Sequence, residues 1–580
     1  MCIKGRTIAN AALSPDGTTV AFGAGDRLIT VPAEGGPERV VAFDPAPGAF
    51  AWTADGRALA YAANDRICAV PATGGPGRTL LQADGPITGF ALAADGRIAH
   101  VVDHRVVHVD GTALPGTADF VFDPTWSPDG RTLVWHEWDV PDMPWDAGRI
   151  VAWSPESKRV ATVAGGDGFS VQQPRFSPAG SRLAFLSDAT GWLNVWMAGP
   201  DGSHARPVLD EPFEHADPAW WPGQRSYCWS PDGTALVLNR NEGGFGRLVR
   251  IGVPGTGAPG APGTPVELRK GVHRSLSWAG PHVAALRSGA RTPTEVVVDR
   301  TTVAVGPVGG FEPALVEPEP VEWRGHDGGV IHGRLFRAGA AVGRAAPGGN
   351  APLIVQIHGG PTGQNQVVFD AKTSFWLDRG WAVLVPDFRG STGWGREYQQ
   401  ALRGRWGELD TADVAAGMQA AADNGWADAR RMVPMGGSSG GMTVLLLLAL
   451  HPELCAAGVA SYPVVDLADL ARSEYRFEAH YTHSLIGPFP ATRKAHRDRS
   501  PLAHIDRITK PLLVFHGTAD EVVPVRQSRK LVRRLRDRGA DVEHVEYEGE
   551  GHGFRGPAHV GDQLRRTEAW LAAKVLGFPQ

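Results

Sequence analysis

The sequence is short of cysteine, of surplus charge and of long apolar runs, and each shortage excludes something. Among 580 residues there are four cysteines, Cys2, Cys68, Cys228 and Cys455. No two are near enough in sequence to suggest a metal or redox pair, so reduced thiols of a cytoplasmic protein are expected. Lys and Arg number 57 and Asp and Glu 62, a formal charge of −5, which excludes nucleic-acid binding driven by bulk charge. The longest apolar stretch, VLLLLAL at 444–450, is far too short to cross a bilayer. The opening MCIKGRTIANAALSPDG lacks the apolar centre of a secretory signal. These readings point to a soluble cytoplasmic protein with neither membrane nor nucleic acid as partner.

Glycine and proline are abundant instead. With 74 and 46 copies they make up about a fifth of the chain, against about 12% in average usage. No collagen-like period accompanies them, so this punctuation means many turns, the habit of all-β architecture. Hydrophobic residues at 42% and charged residues at 21% permit a core, and tryptophan is plentiful at 19.

The turns repeat. SPDG stands at 14–17, 127–130 and 230–233, with the variants TADG at 53–56, AADG at 93–96 and SPAG at 177–180, and a weaker seventh copy in SWAGPHVAAL at 277–286. Each has an apolar or aromatic residue before a polar turn and a short apolar strand after it, as in WSPDGRTLVW (126–135). Asp-Gly supplies the positive φ of a tight turn, and the alternation that follows suits strands buried on one face. About four strands per unit of 40–50 residues is the size of a propeller blade. Seven copies predict a seven-bladed all-β propeller over residues 1–310. The run 252–268, rich in Gly and Pro, reads as a solvated loop.

From about 311 the rhythm changes. VEWRGHDGGVIHGRLFR (321–337) reads as strand, turn, strand, and a glycine- and alanine-rich stretch follows at 339–352. Buried strands are predicted in 353–360 and 381–390, a strand running into a turn in 431–441, later strands in 511–520 and 541–554, and helices in 412–425, 442–452 and 562–577. Such alternation means an α/β domain with a mostly parallel sheet, assigned to residues 311–580.

Gly437-Ser438-Ser439-Gly440-Gly441 is a G-x-S-x-G pattern with apolar residues before it and a buried helix after it. That context makes it the nucleophile elbow of an α/β-hydrolase, with Ser439 at the centre of the pattern and Ser438 as a competing serine. A serine hydroxyl needs a base, and in this fold the order is Ser, then Asp or Glu, then His. Asp520 ends the PLLVFHGTAD strand, 81 residues after Ser439, and His552 lies 32 further on in the loop GEGHGF. The expected roles are attack by Ser439, proton transfer by His552 and orientation of the imidazole by Asp520. His516, His544 and Glu521 are the alternatives. The expected oxyanion donors are the backbone N–H groups of Gly440 and of Gly360, the latter in His358-Gly359-Gly360-Pro361. His358, Trp406 and the run DFRGSTGWG (387–395) are expected to be structural.

A propeller followed by this hydrolase resembles the prolyl oligopeptidase family, and most closely its acylaminoacyl-peptidase and aminopeptidase branch. The carriers are HGGP (358–361), DFRGSTGWG, GGSSGG (436–441), HGTADEVVP (516–524) and EGEGHGF (548–554). The resemblance implies a serine peptidase whose propeller gates access for short peptides. It also implies no metal or cofactor and admits a homo-oligomer. Two departures stand out. The first repeat begins at Leu13, leaving little room for the N-terminal helix of relatives, and Gly440 stands where relatives often have a tyrosine after the nucleophile.

The stretch 132–153 sets Glu137, Asp139, Asp142 and Asp146 among Trp135, Trp138, Trp145 and Trp153. Carboxylates and indole faces together suit a free α-ammonium group. Glu137 and Asp139, with Glu242 in NRNEGGFGR (239–247) as a second location, are therefore candidate substrate-binding residues of an exopeptidase that reads the substrate N-terminus. A solvated loop with its tryptophans in the blade core is the plainer reading. A small-molecule esterase or puromycin-type aminoacyl hydrolase is the alternative function, and a propeller scaffold with a vestigial hydrolase is a third.

Overall fold

The computed structural model describes residues 6–43, 50–116, 118–253, 263–306, 315–338, 351–472 and 475–577. The expected domain boundary at 310/311 and most of the 252–268 and 339–352 runs lie outside the described residues.

Seven four-stranded antiparallel sheets follow one another from Ile8 to Val305, each built from four consecutive strands. Every repeated turn falls at the same place, between the first and second strands of its sheet: 14–17 joins Ile8–Leu13 to Thr19–Ala24, and 230–233 joins Tyr227–Trp229 to Ala235–Glu242. The chemistry recurs with it. Ser14 Oγ donates to Asp16 Oδ1, which also accepts from the Thr18 N–H, while Gly17 takes φ +76 and donates its N–H to Ser14 O. A side chain at Gly17 would also meet Ala279 O of the seventh sheet at 2.6 Å. Apolar residues interdigitate between neighbouring sheets, Ala21 and Leu28 of the first with Phe50 and Leu59 of the second. The ring closes where Leu13 and Phe22 pack with Ala284 and Val296 of the last.

The second unit holds an eight-stranded sheet. Its spatial order is Glu319–Arg324, Val330–Phe336, Ala382–Asp387, Leu353–Ile357, Met432–Gly437, Gly458–Ser461, Leu512–Gly517 and Val542–Tyr547. The first two strands pair antiparallel, as does the second with the third, and all later pairs are parallel. Helix Ser439–Leu450 is buried on all sides except at Leu450. A segment apolar all round can be stable only inside, and this one packs at the centre of the larger core cluster.

The propeller sits over the loops that leave the C-terminal ends of the parallel strands. Trp220 Nε1 donates to Thr362 O at 2.7 Å and Asn241 Nδ2 to Gln364 Oε1 at 2.7 Å. Arg396 donates to Asp188 Oδ2, Trp145 O and Asp146 O. Met143 and Trp145 join the hydrolase core itself, with the Trp145 ring 4.4 Å from Trp220 and 5.5 Å from Tyr481. The acidic, tryptophan-rich stretch is thus a docking element between the two units. Trp135 and Trp153 fill a blade core.

Candidate active site

Strand Met432–Gly437 ends in the turn that begins helix Ser439–Leu450, and Ser438 is the hinge. Its backbone stands at φ 57, ψ −123, a conformation L-residues avoid and one found where a strand must reverse sharply into a helix. Space around it is equally specific. A Cβ on Gly436 would lie 2.6 Å from Gly440 C and O, and one on Gly440 would lie 2.5 Å from Ile357 O. The two obligatory glycines of the elbow are therefore 436 and 440, and the serine between them is Ser438.

This corrects the sequence reading, which placed Ser439 at the centre. GGSSGG holds two overlapping G-x-S-x-G frames, and the fold uses the earlier one. Ser439 is the first residue of the helix and 1% exposed, and its Oγ accepts from Trp406 Nε1 at 3.0 Å inside the protein. It points into the core, where no substrate reaches. The correction moves the expected oxyanion donor too. The residue after the elbow serine is Ser439, not Gly440, so Ser439 also occupies the position that relatives fill with tyrosine. Gly440 instead lets the helix pass against the neighbouring strand.

Ser438 lines a cavity of about 540 Å³ together with His552, Gly359, Gly360, Tyr462 and Glu478. A Cβ on Gly359 would come 3.4 Å from Ser438 Cβ, so the HGGP loop runs beside the elbow. Gly360 takes φ +119, and a Cβ there would meet Thr362 N at 2.7 Å. His552 Nδ1 donates to Asp520 Oδ2 at 2.8 Å. Asp520 Oδ1 accepts the N–H groups of Val522 and Val523 at 3.0 and 2.9 Å. Burial opposes ionisation of Asp520, but hydrogen bonds from His516, His552 and Val523 outweigh it and hold the carboxyl down at about 2. A permanently ionised partner at Nδ1 leaves Nε2 as the basic nitrogen.

The alternative histidines have other work. His516 is fully buried, with Nδ1 on Ser528 Oγ and Nε2 on Val523 O, both 2.7 Å. His544 lies within the last strand. His358 lines the cavity and is held by the scaffold: Nε2 meets Ser391 Oγ at 2.8 Å and the ring stacks on Phe388. In DFRGSTGWG, Asp387 makes a buried two-bond pair with Arg334, and Arg389 holds Asp413.

The three candidate ammonium-binding carboxylates are not in the cavity. Glu137 accepts from Arg149 and Trp135, and Asp139 from the same Arg149, each at 2.7 Å. Glu242 pairs with Arg240 at 2.9 Å and faces Arg247. The protein's own arginines already occupy them. Among the described residues lining the cavity, Glu478 is the one carboxylate and Lys372 the one permanent cation. Glu478 was missed because it belongs to an irregular stretch, Arg476–Glu478, with no periodic pattern around it. Burial first, and the Asp520 charge second, push its carboxyl up to about 7, against the pull of His552.

Fold and site together define an α/β-hydrolase of the serine type, covered by a seven-bladed propeller. Residues 367–577 match the family model described as "Prolyl oligopeptidase family". The chain is 31% identical over 234 residues to "Dipeptidyl peptidase family member 6" of Caenorhabditis elegans, covering 39% of this chain and 32% of the relative. It is 28% identical over 230 residues to an "Acylamino-acid-releasing enzyme" of Arabidopsis thaliana, covering 38% and 30%. The match thus spans about a third of the length of these curated relatives. A solved structure, a "mycobacterium tuberculosis puromycin-hydrolyzing peptidase", is similar over 98% of this chain and 94% of its own, with 27% identity and a TM-score of 0.85.

Proposed function

We propose that the protein is a serine peptidase that cleaves short peptides or aminoacyl amides at the substrate N-terminus, through an acyl-enzyme on Ser438. The observation that carries this reading is the strained elbow at Ser438 sharing one cavity with a histidine already bonded to an ionised aspartate. Ser438 Oγ attacks the scissile carbonyl carbon while His552 Nε2 takes its proton. The oxyanion is received by the Ser439 and Gly360 N–H groups. As the tetrahedral species collapses, the C–N bond breaks and His552 returns the proton to the leaving amine. Water, deprotonated by the same nitrogen, then releases the acid and frees Ser438. The propeller over the strand ends limits what reaches the cavity.

Likeness along nearly the whole chain to a puromycin-hydrolysing peptidase favours a second reading within the same chemistry, the removal of an aminoacyl group from a small amide. A fluorophosphonate probe and a chromogenic panel of aminoacyl anilides test the shared reading. Labelling and turnover are expected in the wild type and absent in Ser438→Ala. A folded wild type that neither labels nor turns over any member of the panel would overturn it.

A further inference from the structure

A carboxylate stands alone in a cavity that has every other requirement for catalysis. Glu478 lines the same wall system as Ser438 and His552, and no hydrogen bond or ion pair to its carboxylate is found among the described residues. Glu137, Asp139 and Glu242 are the opposite case, each held by an arginine, while Glu214 at the seam accepts the backbone N–H groups of Leu193 and Gly395. Glu478 is half-buried, and withdrawing a carboxylate from water without a cation is costly. Its elevated proton affinity is the mark of that cost, with burial as the main cause. Such a group is tolerated where a cation arrives from outside and leaves again.

The substrate can bring that cation. In an aminoacyl amide the α-ammonium nitrogen is attached to the carbon next to the scissile carbonyl, so its binding group must lie within a few ångströms of the serine and histidine. Glu478 is placed for this: it, Ser438 and His552 line one cavity, and the His552 charge pulls the Glu478 carboxyl toward ionisation. Trp220, Trp376 and Tyr462 line the same cavity, and apolar wall of this kind strengthens a charge pair formed beside it.

Resting on the serine peptidase reading, we infer that Glu478 is the anchor for the free α-ammonium group of the residue being removed, and that it selects unblocked aminoacyl substrates over N-acylated ones. An N-acyl group carries no positive charge and would set a carbonyl oxygen against the carboxylate. The protein is then a one-residue aminopeptidase or aminoacyl-amide hydrolase, and cleavage of acylated N-termini is disfavoured. Glu478 takes the role that sequence reading gave to Glu137, Asp139 and Glu242.

The test is a matched pair of anilides, a free aminoacyl anilide and its N-acetyl form, with kcat/KM for wild type, Glu478→Gln and Glu478→Asp. Wild type should prefer the free form. Glu478→Gln should lower the free-to-acetylated ratio by about 10- to 100-fold, the worth of a charged hydrogen bond. Glu478→Asp, which keeps the charge but withdraws it, should fall between. Fluorophosphonate labelling of Ser438 in each variant reports an intact catalytic centre. A labelled Glu478→Gln enzyme with an unchanged ratio overturns the inference while the peptidase reading stands. A second measurement needs no variant. A free aminoacyl amide should protect wild-type Ser438 from the probe at a concentration at least tenfold lower than its N-acetyl form, and equal or reversed protection overturns the inference. A wild type that never labels removes the peptidase reading, and this inference with it.

Discussion

Two adjacent serines have opposite fates, and the contrast is measurable. Ser438→Ala should lower kcat/KM by several orders of magnitude and abolish probe labelling, because the nucleophile and its base act as a unit. Ser439→Ala keeps the backbone N–H and loses only a buried hydroxyl, so kcat/KM should stay within about tenfold of wild type. Its cost is thermal: the Trp406 indole N–H is left without an acceptor, a loss of about 1–3 kcal/mol, read as a lower Tm. Equal inactivation by both variants would argue against the frame assigned here. Glu478 adds a pH signature. Its carboxyl is raised to about 7, so it is neutral below that pH and anionic above. Binding of a free ammonium should therefore improve as pH rises through about 7, and KM for a free aminoacyl anilide should fall over that interval. The groups around it are His552, Asp520, Tyr475 and Tyr481. The limb due to Glu478 is the part that disappears in Glu478→Gln and is absent with the N-acetyl substrate.

At the level of elements, the elbow depends on contact between a strand and a helix. Gly440→Ala drives a methyl group to 2.5 Å from Ile357 O, and Gly436→Ala drives one to 2.6 Å from Gly440 itself. Each should cost about 1–3 kcal/mol of stability through overpacking. Each should also lower kcat more than it raises KM, since the displaced part is the nucleophile's own backbone. Calorimetry with steady-state kinetics checks both. The strand, turn and helix around the elbow were legible from their apolar runs. The frame was not, because two overlapping patterns meet the small-residue condition equally well. Tertiary contacts separate them: Gly440 against the Leu353–Ile357 strand, and Ser439 against Trp406. Glu478 was illegible for another reason: its stretch between Tyr475 and Leu485 has short, irregular turns, and no periodicity marks which side chain faces inward.

Across the whole molecule, Arg396 fastens hydrolase to propeller. Asp188, its partner, is almost fully buried and anchored by the Ser170 N–H at 2.6 Å. Arg396→Ala leaves that carboxylate without a cation, which at a buried site costs about 3–5 kcal/mol. A lower Tm is expected, together with faster cleavage of peptides too long for the wild type. The double variant with Asp188→Asn should recover part of the loss. An unchanged Tm and unchanged length discrimination would show that other contacts, such as Trp220 with Thr362, hold the units together unaided.

The sequence by itself determined the seven blades, because each blade begins with a local polar turn ending in Gly, and in the three SPDG copies the Ser, Asp and Gly bond to one another within a few residues. It determined the alternating strands and helices of the second unit in the same way, through patterns of burial that run along the chain. It also supplied the partners Asp520 and His552, whose positions at a strand end and in a glycine-flanked loop are local features. Tertiary structure alone decided which serine faces the cavity and which carboxylate stands there without a cation. It also turned the tryptophan-rich stretch at 132–153 into a seam between units. Each of these is set by what a side chain meets from a distant part of the chain: Ile357 against Gly440, Trp406 against Ser439, Arg149 against Glu137 and Asp139.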